Sequence, residues 1–296
     1  MKAILKEKNL IYGYTQAALS AVGFGLMGFL GVFAYGEGQS TSSLLAWRFG
    51  IASLVFLAFS LHQGMLKNQS LKDLVLCFLL GIIGYTTHSL LFFNTIKHID
   101  IGLATILLYT YPIFILVLSI FFNKQAVGKR QIVLVFFAFI GLLMAINLSG
   151  LELNSIGVLL GLSTAIAYSI YLKVAERLTK DLNPLVVSTF VCLGTFLSFL
   201  SIALYRDEFV FPSSPMSWIL ILTLSLFSTV GAILLLLSAI KRIGALKAAV
   251  ISNLEPVTAI FLGAIFLSEK LSIIQIVGVV TLLYALSLLL KESGEE

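Results

Sequence analysis

The sequence predicts an all-α integral membrane protein of ten transmembrane helices, arranged as two inverted five-helix repeats. Three observations lead there. The 296 residues are 59% hydrophobic and only 11% charged, with a mean hydropathy of +1.06, whereas an average soluble domain is about 25% charged. The apolar runs approach or exceed the roughly 20 residues that cross a bilayer. A pattern also recurs at an offset of 144 residues: Thr95-Ile96-Lys97-His98-Ile99 leads to Tyr111-Pro112 as Ala239-Ile240-Lys241-Arg242-Ile243 leads to Glu255-Pro256. An offset close to half the chain marks an internal duplication.

Polar and charged punctuation divides the chain into spans at about 12–35, 43–61, 73–96, 101–122, 130–148, 155–175, 184–204, 215–239, 245–266 and 273–290. The first five make one repeat, residues 12–148, and the last five the other, residues 155–290. Lysines precede the first run as they do in a signal peptide, but 12–35 is too long for the apolar core of one and more spans follow.

Orientation follows from charge. Of the 19 Lys and Arg residues, Arg48 lies within a span. With a cytoplasmic N-terminus, Lys97, Arg206 and Lys270 fall outside and the other fifteen inside. Both termini are therefore expected in the cytoplasm, and the protein in the inner (cytoplasmic) membrane. Five spans per half is an odd number, so the second copy enters the membrane in the opposite sense. Paired broken helices in inverted repeats point to a transporter's binding site near the midplane.

The net charge of +5 is spread over short loops, which argues against nucleic acid as a partner. Cys77 and Cys192 sit in apolar runs and offer no disulfide framework. No cofactor or metal site is expected. For an intramembrane protease, Asp73, Asp100, Asp181 and Asp207 lie in loops or at helix edges, His-Glu-x-x-His is absent, and Gly161-Leu162-Ser163 with His88 is a match too short to carry weight. An enzyme is not expected. A channel or a purely structural membrane protein fits less well, because the chain has neither rings of charge nor a carbonyl filter.

Several segments together resemble the EamA-type members of the drug/metabolite transporter superfamily. They are Trp47-Arg48-Phe49, Asn94-Thr95-Ile96, Ala104 to Pro112, and Ala248–Pro256 (AAVISNLEP), with Gly263, Glu269-Lys270-Leu271 and Gln275 to Gly278. The resemblance covers residues 13–290. It departs at Asn123-Lys124-Gln125, where the pattern has an acidic turn. It implies a ten-helix carrier with a central cavity between two halves, most members exporting small metabolites such as amino acids. The expected function is thus a secondary transporter working by alternating access and exporting amino acids or related compounds. An importer or exchanger of an intracellular or nucleoside-like metabolite is the alternative.

Polar groups inside the spans supply the candidate site. Glu255, about 15 Å of helix rise past Ala245, is the acidic residue deepest in a span. It is a candidate for binding a cationic group or carrying a coupling proton, against a structural carboxyl beside Pro256. Pro112 and Pro256 break their helices and free carbonyls near Leu108 and Ser252. Tyr109 and Asn253, and Tyr111 and Glu255, are equivalent at the 144 offset and are candidates to line the cavity. Arg48 is a candidate to draw in an anionic group, or else a snorkelling or capping residue. His88 is a candidate proton relay or a packing histidine. Trp47, Tyr168 and Tyr171 are candidates to stack on a heterocyclic substrate. Gly157 and Gly161 form a GxxxG, expected to bring the sixth helix close to a neighbour, with a homodimer as the lesser reading. The partners expected are a small molecule, the lipid bilayer and a coupling proton.

Overall fold

Side-chain caps decide where several helices begin. Ser40, Asn154, Asn183 and Ser214 each accept a backbone N–H from the first turn that follows, from Ser43 at 3.0 Å, Ile156 at 2.9 Å, Leu185 at 2.9 Å and Ser217 at 3.0 Å. Such bonds satisfy donors that a helix start leaves unpaired. Pro184 and Pro215 then occupy first-turn positions, where a missing N–H costs nothing.

The computed structural model describes residues 2–67, 69–123, 128–146, 154–266 and 271–292. The expected turns at Asn123-Lys124-Gln125 and Glu269-Lys270 fall wholly or partly outside these residues. The helices are α1 (Lys2–Gly36), α2 (Thr41–His62), α3 (Leu71–Thr95), α4 (Ile101–Leu108), α5 (Tyr111–Asn123) and α6 (Lys129–Ala145). They continue with α7 (Ser155–Asp181), α8 (Pro184–Tyr205), α9 (Pro215–Ile251), α10 (Leu254–Phe266) and α11 (Ile273–Glu292). Seven stretches are long and apolar enough to cross a membrane, while Leu254–Phe266 and Ile273–Leu289 are apolar but shorter. The protein is therefore an all-helical, multi-pass membrane protein.

The two halves of the chain interleave. α2 lies along α8, and α6 along α11. α3 packs on α7 and α8, while α9 packs on α1 and α2. α7 covers α4 and α5, as α1 covers α10. Each of these contacts has a counterpart with the halves exchanged, whereas the packing of α9 on α5 and α7 has none of similar extent. Leu54, Ile83, Phe121, Phe227 and Ile273 stand exposed on the periphery, as befits a surface solvated by lipid. Inside, hydroxyls bond to their own helix: Thr95 to the Leu91 carbonyl at 2.8 Å, Thr164 to Leu160 at 2.9 Å and Thr189 to Leu185 at 2.8 Å. Without water, that is the nearest available acceptor.

Four interruptions shape the interior. α3 and α9 each contain a π-helical turn, at Leu80–Tyr85 and Leu226–Gly231. In both, a threonine hydroxyl donates to a carbonyl five residues back, Thr86 to Gly81 at 3.0 Å and Thr229 to Leu224 at 3.1 Å. The other two interruptions separate α4 from α5 at Tyr109-Thr110, and α9 from α10 at Ser252-Asn253.

The break expected between spans 215–239 and 245–266 falls at Gly244, where α9 is two helical segments meeting across a kink. The φ of 81° and ψ of 162° there belong to a region that is essentially glycine-only. The GxxxG of α7 is covered by the chain itself. A β-carbon on Gly157 would stand 2.5 Å from Ile99 Cγ2, and one on Gly161 2.6 Å from Leu107 Cδ1. These glycines let the α3–α4 turn and α4 approach α7.

Candidate functional site

A cavity of about 390 Å³ opens where the broken helices meet, bordered by α1, α2, α3, α4, α7 and α10. That volume lies within the range of small-molecule sites. Phe92 and Phe93 near the end of α3, Ile101 at the start of α4 and Ile146 just past α6 line it, so it sits toward one end of the bundle. The opposite end is packed shut. There Ala245, Ala248, Ala249, Val250 and Ile251 of α9 are all buried.

The break before α10 presents Glu255. This residue lies in the first turn of α10, where the helix dipole favours a carboxylate, and it is partly buried with its side chain at the cavity. The Tyr109 hydroxyl is its polar neighbour, and the Arg48 guanidinium acts on it through charge. The carbonyl of Ser252, expected to be freed by Pro256, instead accepts the Glu255 N–H at 2.9 Å. The turn re-pairs what the proline would leave open.

Arg48 reaches the cavity from α2 and is only 3% exposed. Its Nε donates to Thr229 Oγ1 at 2.6 Å, and its Nη1 meets the Met27 sulfur. Among the described residues Nη2, itself without accessible surface, has no hydrogen-bond partner, although the Tyr85 hydroxyl lies beside the guanidinium. The π turn of α9 is what places Thr229 under this side chain.

Aromatic rings build the remaining wall. Tyr168 stacks on His88, with ring centroids 4.4 Å apart, and meets the edge of Tyr111 at 4.8 Å. Tyr111 donates its hydroxyl to the Ala249 carbonyl at 3.2 Å, which ties α5 to the buried end of α9. Tyr85, the last residue of the π turn in α3, also faces the cavity.

The candidates therefore divide. Glu255, Tyr109, Tyr111, Arg48, His88, Tyr168 and Pro256 line the cavity. Four others do not. Tyr171 is 1% exposed and lies behind Tyr168, stacked at 5.8 Å. Asn253 is buried away from the cavity, its Oδ1 without a partner. Trp47 packs among Phe209, Phe211 and Trp218 and donates to the Val210 carbonyl at 3.0 Å, because its side of α2 faces the loop before α9. Pro112 is one residue past the lining Tyr111, on the helix side. The residues that sequence reasoning passed over are Tyr85, Ser89, Thr105 and Thr229. The first three have polar side chains in apolar helices, a weak signal, and Thr229 depends on a π turn that no local pattern announces. Among the described residues no group of three His, Cys, Asp or Glu side chains is placed to hold a metal.

Known proteins agree with this architecture. The profile of the EamA-like transporter family matches residues 11–147 and again residues 155–291. The uncharacterized transporter YyaM of Bacillus subtilis (strain 168) is 29% identical over 249 residues, covering 81% of each chain. An uncharacterized transporter of Archaeoglobus fulgidus is 25% identical over 267 residues, covering 90% of this chain and 92% of its own. A solved crystal structure shares the fold with a TM-score of 0.80 at 18% identity, over 95% of this chain and 97% of that one.

Proposed function

This chain belongs to the EamA-like transporter family, and on that premise we propose a secondary transporter that works by alternating access and exports amino acids or related compounds. In this reading ten spans form two inverted repeats, residues 12–148 and 155–290, in the inner membrane with both termini cytoplasmic. The interleaved contacts and the matching interruptions in α3 and α9 support it, since related elements recur with the halves exchanged.

One observation carries the reading: the cavity occupies a single end of the bundle and ends at the paired helix breaks. By the charge distribution that end is the outer one, so the structure is read as an outward-open state. Exchange of conformation between the halves would close it and open the packed end formed by Ala245–Ile251. Export is the direction in which a high cytoplasmic metabolite concentration drives such a carrier.

Purified protein in liposomes loaded with unlabelled amino acid tests the proposal. Saturable counterflow of labelled amino acid is expected. Linear, non-saturating flux would make the protein a channel, and no flux with any metabolite would remove the carrier reading.

A further inference from the structure

The open and closed ends of the bundle differ in one set of contacts. At the closed end Glu176 of α7 and Ala245 of α9 are both buried, and Glu176 Oε1 accepts the Ala245 N–H at 2.9 Å. At the 144 offset these positions fall on Val32 of α1 and Ile101 at the start of α4. Val32 is 65% exposed and Ile101 67%, and Ile101 lines the cavity. α7 packs on α9, whereas α1 and α4 share no packing of similar extent. One pair of equivalent positions is thus joined at one end and stands open at the other. Exchange of conformation between the halves would bring the outer pair together and part the inner one.

The chemistry of the inner contact suits one that has to part. The second carboxylate oxygen of Glu176 pairs with Lys173, whose ammonium also donates to Ser119 of α5 at 3.2 Å. Three helices are therefore joined through two nearly buried charges. Burying such a pair costs about what its attraction returns, so water that re-enters on opening repays most of the loss. The outer end carries no copy of the network, because Lys173 falls on Phe29 and Ser119 on Gly263 at the same offset.

We propose that Glu176, held in place by Lys173 and Ser119, is the inner latch of the transport cycle. Its bond to the Ala245 N–H exists while the outer cavity is open and breaks when the closed end opens. The inference rests on the alternating-access reading and names the residues that set the balance between its two states. Losing the latch shifts that balance toward the inward-open state by as much as the bond favours the outward-open one.

The test uses the full-length protein in membrane vesicles, with Cys77 and Cys192 replaced by alanine and one reporter cysteine, Ala248→Cys at the closed end or Thr105→Cys in the cavity. A membrane-impermeant maleimide is applied from each side. Glu176→Ala combined with Lys173→Met strands no charge. It should raise labelling of Ala248→Cys about tenfold, the effect of one hydrogen bond to a charged group, with no rise at Thr105→Cys. Unchanged labelling of Ala248→Cys overturns the latch, and so does a rise at both positions, which is general loosening. A bridge gives a second measurement that does not depend on that variant folding. Glu176→Cys with Ala245→Cys, joined by a short bifunctional thiosulfonate, should lose saturable counterflow of labelled amino acid and regain it on reduction. Counterflow that survives the bridge sinks the latch alone. Absence of counterflow with every metabolite in the unmodified protein sinks the carrier reading too.

Discussion

Glu176 caps the half-helix that begins at Ala245: its Oε1 accepts the Ala245 N–H at 2.9 Å. Its other oxygen pairs with Lys173, whose ammonium also donates to Ser119 of α5 at 3.2 Å. One carboxylate on α7 thus joins α9 just past its bend and, through Lys173, α5 at the closed end of the bundle. Removing it strands a largely buried lysine. Glu176→Ala should destabilise the protein by about 3 kcal/mol, read as a lower melting temperature in detergent. Glu176→Ala combined with Lys173→Met should recover much of the loss, and a double variant no better than the single would disprove the pairing.

Gly244 makes that cap reachable. Its positive φ strains any L side chain, and a β-carbon there would stand 3.1 Å from Glu176 Oε1. Gly244→Ala should cost about 1–3 kcal/mol of stability and slow transport more than it weakens substrate binding, because the bend belongs to the closed end. An unchanged melting temperature would show that the backbone relaxes there freely.

Glu255→Gln should abolish proton-coupled or cation-selective transport while leaving the protein inserted and folded. Wild-type rates and pH response in that variant, measured by counterflow, would take Glu255 out of the mechanism.

Thr229 acts on the site only through Arg48. Thr229→Val removes a hydrogen bond to a charged group, a change of about 1.5–3 kcal/mol. Substrate affinity should fall while Thr229→Ser retains most of it. Equal effects from the two variants would point to packing of the π turn instead.

Cysteines placed at Tyr109 and Asn253 should behave differently, although the two positions are equivalent in the repeat. Tyr109→Cys faces the cavity and should be protected from thiol reagents by bound substrate. Asn253→Cys, 2% exposed in the wild-type residue's position, should resist labelling with or without substrate. Rapid substrate-sensitive labelling at 253 would place it in the pathway. Both are best made after replacing Cys77 and Cys192, which are buried and free.

Most of the helix plan was legible because lipid imposes a simple rule: a helix that crosses must be apolar along its length, and loops must carry the charge. The break at Tyr109-Thr110 could be read from Pro112, and the one at Ser252-Asn253 from Pro256, since proline lacks the donor that would continue the ladder. The π turns were not legible. Leu80–Tyr85 and Leu226–Gly231 differ from their flanks in backbone pairing alone, and their composition is ordinary for such helices. The continuation of α9 as far as Ile243, up to its break at Gly244, was hidden for a related reason. Its basic Lys241-Arg242 pair reads as a loop, yet Lys241 donates to the Leu182 carbonyl at 3.0 Å and Arg242 bonds Gln16 at 3.1 Å, so both cations are satisfied on a helix.

The sequence by itself determined that this is a duplicated, all-helical membrane protein and singled out Arg48, Tyr109, Tyr111 and Glu255, which line its cavity, because a polar group in an apolar span needs a reason. Only the tertiary structure decided which of the candidates share one space. Helical aromatics look alike in one dimension, and the facing of Trp47 toward Phe209, or of Tyr171 behind Tyr168, depends on which helix of the other half lies opposite. It also decided that Arg48 and Glu255 face the same cavity without touching, since their distance apart depends on how the two halves interleave.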